Sequence, residues 1–138
     1  MIFEIISGLW IGDYNSLFDN NFLNDNNINI VINCTKNVFC NRDFFKKIRI
    51  PLENTQLLDK NIKIIKEIQN NFCKLIKENL DNYNIFICCY NGLNFSPLLI
   101  SLYLIKEGNI NYKKINEIIN QKNEKINIDI NILELILS

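Results

Sequence analysis

The order of apolar and polar positions divides the chain into short buried strands and amphipathic helices. Residues 2–6 run into 8–12 as a strand pair interrupted by glycine, and Leu17, Phe18, Phe22 and Leu23 share one face of a helix predicted over 16–24. Residues 28–34 (INIVINC) are apolar and β-branched, the pattern of a strand covered on both faces. A further short strand is expected within 44–52, ending at Pro51. Over 57–80 the apolar side chains Ile64, Ile65, Ile68, Phe72, Leu75 and Ile76 recur at helical spacing.

Residues 85–89 (IFICC) form a second buried strand, followed by a polar loop over 90–95. Ser96 suits an N-cap and Pro97 a first helical position, so an apolar helix is predicted over 98–106, closed by Gly108. Two last helices are expected over 112–121 and 129–137. Strands alternating with helices imply an α/β fold around a largely parallel sheet, and the 138 residues suit one domain, 1–138, with a proper core.

Composition narrows the function classes. Nearly half the residues are apolar, and 15 basic side chains balance 15 acidic ones, so nucleic acid and membrane surfaces are not expected partners. Residues 1–10 lack the basic start and long apolar run of a secretion signal, and no stretch approaches a membrane span. Five cysteines, an odd number, point to free thiols in a reducing, cytoplasmic compartment. With no histidine, and with its only adjacent cysteines vicinal, the chain offers no recognisable zinc set, and no metal or cofactor is expected. The bias to Ile, Asn and Lys, whose codons are AT-rich, suits a large DNA virus, a protist or a low-GC bacterium; a viral source would make the protein virus-associated.

The segment with chemical content is 85–97, where a buried strand ends in Cys88 and Cys89, turns through Tyr90, Asn91, Gly92, Leu93, Asn94 and Phe95, and enters a helix at Ser96 and Pro97. Loop amides and a helix N-terminus turned toward one cysteine make an anion cradle. On these residues alone, a buried Cys-Cys strand end is more often plain core.

This segment resembles the His-Cys-x-x-Gly-x-x-Arg-Ser signature of the cysteine-dependent dual-specificity protein phosphatases, with Cys89, Gly92 and Ser96 in matching positions. Residues 6–12 (ISGLWIG) resemble that family's opening GLYLG, 28–35 (INIVINCT) its ITHVLNVT strand, and 50–54 (IPLEN) its IPVED general-acid loop. Residues 127–135 resemble its closing PNxGFxxQL helix. The resemblance spans nearly the whole chain in order, and implies a central, mostly parallel sheet of about five strands flanked by helices.

It also implies a mechanism whose parts are incomplete here. In the family a thiolate attacks phosphorus, an arginine clamps the phosphoryl oxygens and an aspartic acid protonates the leaving group. Cys89 matches the nucleophile, but Phe95 stands at the arginine position, Asn54 at the aspartic acid and Cys88 at the histidine. Ser96 matches the serine whose hydroxyl assists the cysteine, although capping alone would also select serine. Asp59 and Glu53 are the substitutes available for the acid, with helix capping and solvent exposure as their plain roles; Tyr90 is expected at the loop rim.

The expectation is a pseudophosphatase that acts as an interaction or scaffolding domain for a protein partner, either a phosphoprotein or one recognised without phosphate. The alternatives are a weak tyrosine or serine/threonine phosphatase using Cys89, and a homo-oligomer or virion component.

Overall fold

The computed structural model describes residues 2–54 and 59–138. Strands β1 (Ile2–Ile6) and β2 (Leu9–Asp13) form an antiparallel hairpin whose turn places Gly8 at φ +82°. Strands β3 (Ile28–Asn33), β4 (Lys46–Arg49) and β5 (Asn84–Cys89) complete one five-stranded sheet in the order β1-β2-β5-β3-β4. Every pairing except β1 with β2 is parallel. The sheet is therefore mostly parallel, as expected.

β5 occupies the centre, and Ile85 to Cys89 are all buried, which explains their unbroken apolar run. On one face lies the main core, built under helices α2 (Asp59–Asn79), α3 (Phe95–Gly108), α4 (Ile115–Asn120) and α5 (Ile130–Leu137). The opposite face carries a smaller cluster in which Leu17, Phe22 and Leu23 cover Val31, Phe86 and Cys88. Trp10 and Phe86 each meet the Phe22 ring edge-on. Trp10 is thus a packing residue.

α3 is buried along most of its surface, which is why its sequence is apolar all round. α2 instead buries one stripe, with Ile62, Ile65, Phe72, Cys73 and Ile76 inward and Ile64, Ile68 and Leu75 half-buried. Its Gln69 Nε2 donates to the Ile136 carbonyl at 2.8 Å, giving a partner to one of the carbonyls left open at the end of α5.

Several boundaries differ from the sequence expectation. The segment 16–24 is two pieces, a three-ten turn over Tyr14–Phe18 and helix α1 (Asn20–Asp25). Asp19 breaks them apart because its carboxylate caps the second piece at the Phe22 N–H. The strand expected within 44–52 covers four residues, and 112–121 again opens as a three-ten turn before α4. Helix α2 is described from Asp59, so Asp59 lies inside the first turn, while the expected start at 57–58 falls outside the described residues. α3 extends through Gly108, and Asn109 at φ +53° makes the left-handed stop assigned to glycine. Asparagine visits that region at low cost, so it can replace glycine as a helix stop.

Candidate functional site

The carboxyl end of β5 delivers Cys89 between the ends of β2 and β3, where parallel sheets collect their ligands. From there the loop 90–94 turns into α3. Gly92 sits at φ +73°, and a Cβ on it would lie 2.9–3.2 Å from the backbone of Gly12 and Asp13. The loop is therefore folded directly onto the end of β2.

That fold turns the Gly92 N–H toward the Cys89 sulfur at 3.2 Å. Asn91 Oδ1 accepts the Leu93 N–H at 2.9 Å and lies 3.9 Å from the same sulfur. One loop amide thus faces the thiol, while the next is already spent on a side chain. A bound phosphoryl group would have to displace Asn91 to claim it. Cys89 itself is fully buried.

Phe95 is 3% exposed and belongs to the main core cluster with Cys89, Leu98 and Leu99. It begins α3, so the aromatic ring is anchored as core at the very start of the helix. Ser96 lies inside the first turn, after Asn94 at the N-cap position, and is not the cap its residue type suggests. Its hydroxyl is buried and makes no hydrogen bond. Pro97, a further residue in, still falls in the first turn, where a missing N–H costs nothing.

Tyr90 is more than rim. Its hydroxyl donates to the Leu52 carbonyl at 2.7 Å and accepts the Lys36 N–H at 2.9 Å, using both of its capacities. The ring therefore ties the loop after Cys89 to the segment after β3 and to residues 50–54. Sequence reasoning also passed over Asn61. This buried amide grips Glu53 twice, accepting its N–H at 2.9 Å and donating to its carbonyl at 3.2 Å.

Asn54 follows in that anchored segment with its side chain exposed. Glu53 pairs with Lys36 at 2.9 Å and Lys60 at 3.1 Å. The Lys36 hydrogen bond first, then that to Lys60, holds its carboxyl below the usual carboxylate range. A carboxylate held charged is a poor proton donor near neutral pH. Asp59 is exposed.

Arg49, on β4, is spent elsewhere. Its guanidinium donates to the carbonyls of Thr35 at 2.6 Å and Val38 at 2.7 Å, and stands 4.3 Å over the Phe39 ring. Cavities of about 240 and 280 Å³ flank β4, and no residue from Cys88 to Ser96 lines either. Among the described residues no three His, Cys, Asp or Glu side chains gather to hold a metal ion, and no helix is long and apolar enough to cross a membrane.

All five cysteines are free thiols. Burial, with smaller contributions from neighbouring thiols, pushes Cys34 and Cys88 well up, and burial pushes Cys73 up to about 11. The folded chain holds these protons where the unfolded chain releases them, so this stability is present below the unfolded thiol pKa near ~8.5 and fades as pH rises toward each folded value. The surface groups Lys106 and Glu107 also act on Cys73, so its share is discounted to on the order of 1 kcal/mol. Urea unfolding followed from about pH 8 to 11 should show falling stability, and Cys73→Ala should flatten the fall. Equal slopes in both proteins would show that Cys73 carries no such linkage.

The family described as dual specificity phosphatase, catalytic domain, matches residues 9–137. The chain belongs to that family.

Solved structures show how closely the dual-specificity phosphatase fold is kept while the sequence drifts. Human DUSP28 superposes with a TM-score of 0.81 at 10% identity, covering 99% of this chain and 90% of its own. DUSP15 gives 0.83 at 17% identity over 98% and 84%. The human tyrosine phosphatase-like serine/threonine/tyrosine-interacting protein gives 0.82 at 14% over 99% and 93%. No curated protein sequence matches the chain. At these identities the likeness speaks for the fold, and the dual-specificity site must be argued from its own residues.

Proposed function

We propose that this dual-specificity phosphatase domain is a pseudophosphatase that works by binding a protein partner. The observation that carries the reading is Phe95, an apolar ring in the core at the position where the family's chemistry needs a guanidinium. Arginine holds a phosphoryl group through paired charge-assisted hydrogen bonds, for which a phenyl ring has no donors. The other features point the same way. The Cys89 thiol is enclosed, the Leu93 amide is occupied, Asn54 has no proton to give, and Arg49 is committed to backbone carbonyls. The same losses weaken phosphate recognition, so a partner bound without phosphate fits better than a phosphoprotein.

The wild type is expected to hydrolyse a small aryl phosphate no faster than its Cys89→Ser variant. Turnover that depends on Cys89 would overturn the reading. It would favour the second one, a weak phosphatase, for which the motivating observations are the Gly92 N–H on the sulfur and the unpartnered Ser96 hydroxyl.

A further inference from the structure

The outermost strand of the sheet, β4, pairs with β3 on one side only. The Ile50 N–H binds the Asn33 carbonyl at 2.9 Å, so along this parallel ladder Ile48 and Ile50 turn their backbone groups inward. By the same alternation, Lys47 and Arg49 turn their N–H and C=O groups to the open edge.

Both faces beside that edge are hollow. Between β4 and α2 lies the cavity of about 280 Å³, walled by Ile48, Ile50, Ile68, Phe72 and Leu75. On the other face the cavity of about 240 Å³ is bordered by Lys47, Arg49, Phe39 and Phe44. A groove between an edge strand and a helix is the arrangement by which a domain takes an added strand, with main-chain bonds for affinity and pockets for alternate side chains.

The charges choose the occupant. Three of the four residues of β4 are cations, Lys46, Lys47 and Arg49, and among the described residues no carboxylate pairs with them. Among the described residues the Lys47 ammonium reaches the Cys40 carbonyl, at 3.4 Å. A second copy laid along this edge would bring lysine against lysine, which is how lysine on an edge blunts self-association. A strand carrying carboxylates would be drawn to it instead.

We propose that β4 docks an extended segment of a partner protein in which acidic and aliphatic residues alternate. Its aliphatic side chains enter the groove beside α2, and its carboxylates face Lys47, the Arg49 guanidinium being held by the Thr35 and Val38 carbonyls. This gives the interaction reading above a surface. It rests on that reading for its purpose, but its test does not pass through Cys89. A failed docking test would remove the edge alone, and Cys89-dependent turnover would remove the pseudophosphatase reading alone.

The test is titration of the full chain, by amide NMR and fluorescence anisotropy, with a labelled octapeptide alternating valine and glutamate. Binding is expected at low salt, on the order of tenfold tighter than for a valine–lysine octapeptide, with the largest shifts at the Lys47 and Arg49 amides. Lys47→Pro removes one outward N–H while sparing the bonds to β3, and should abolish binding. N-methylation of the peptide along one edge should do the same without altering the protein. No binding by about a millimolar, or equal binding of the N-methylated peptide, would overturn the proposal. Shifts at these amides driven by protein concentration alone would also overturn it, by making a second copy the occupant.

Discussion

The double variant Phe95→Arg/Asn54→Asp is expected to turn over a small aryl phosphate several orders of magnitude faster than the wild type, and to lose that gain with Cys89→Ser. A donor aimed at developing transition-state charge contributes roughly 3–4 kcal/mol, or about a hundred- to a thousandfold. A placed general acid contributes a further ~10²–10⁴-fold. The two need not multiply, because groups in one site act together. Phe95→Arg alone should show part of the gain.

That gain has a structural cost. Phe95 is part of the core, and removing a buried phenyl ring destabilises by roughly 3–5 kcal/mol. The arginine stem can refill some of this space while its head reaches the loop, so a loss on the order of 2–3 kcal/mol is expected in urea unfolding. A folded double variant with no Cys89-dependent turnover would show that the lesion lies in the loop itself. The occupied Leu93 amide and the enclosed thiol would then be its cause.

Much of the architecture was legible because burial leaves a period in the sequence. β5 is covered on both faces and reads as a continuous apolar run over 85–89, and β3 as a β-branched run interrupted by Asn29; α2 buries one stripe and reads at helical spacing. The breaks were harder. Asp19 divides a promising helix by capping, and asparagine is so abundant here that Asn109 carried no visible signal as a helix stop. In the site, the departures from the family signature at Phe95, Asn54 and Cys88 are visible in the residue types themselves. They did not reveal what holds the loop in place. The bonds from Tyr90 to Leu52 and Lys36, and from Asn61 to Glu53, join segments far apart in the chain. Nothing local marks them. Ser96 misled for a related reason: serine at a helix start suggests a cap, yet its hydroxyl is enclosed within the first turn.

Gly92→Ala should be far more damaging than Gly8→Ala, although both glycines have positive φ. At Gly8 the nearest obstacle to a Cβ is the Asn84 side-chain oxygen at 3.1 Å, which can rotate away. The cost there is mainly the left-handed backbone, roughly 1–2 kcal/mol. At Gly92 the obstacles are the Gly12 carbonyl carbon at 2.9 Å and the Asp13 nitrogen at 3.0 Å, both backbone atoms of β2. Since β2 is paired on both sides, it cannot withdraw, and the loop must lift instead. Lifting would take the Gly92 N–H off the Cys89 sulfur and disturb the start of α3. A total loss on the order of 3–4 kcal/mol is expected, measured as the shift in urea midpoint at constant m-value. Equal losses at the two glycines would mean that the loop does not lean on β2. If the difference is found, packing against β2 suffices to require glycine at 92. The match of that position to the phosphatase signature would then be no argument that the loop still binds phosphate.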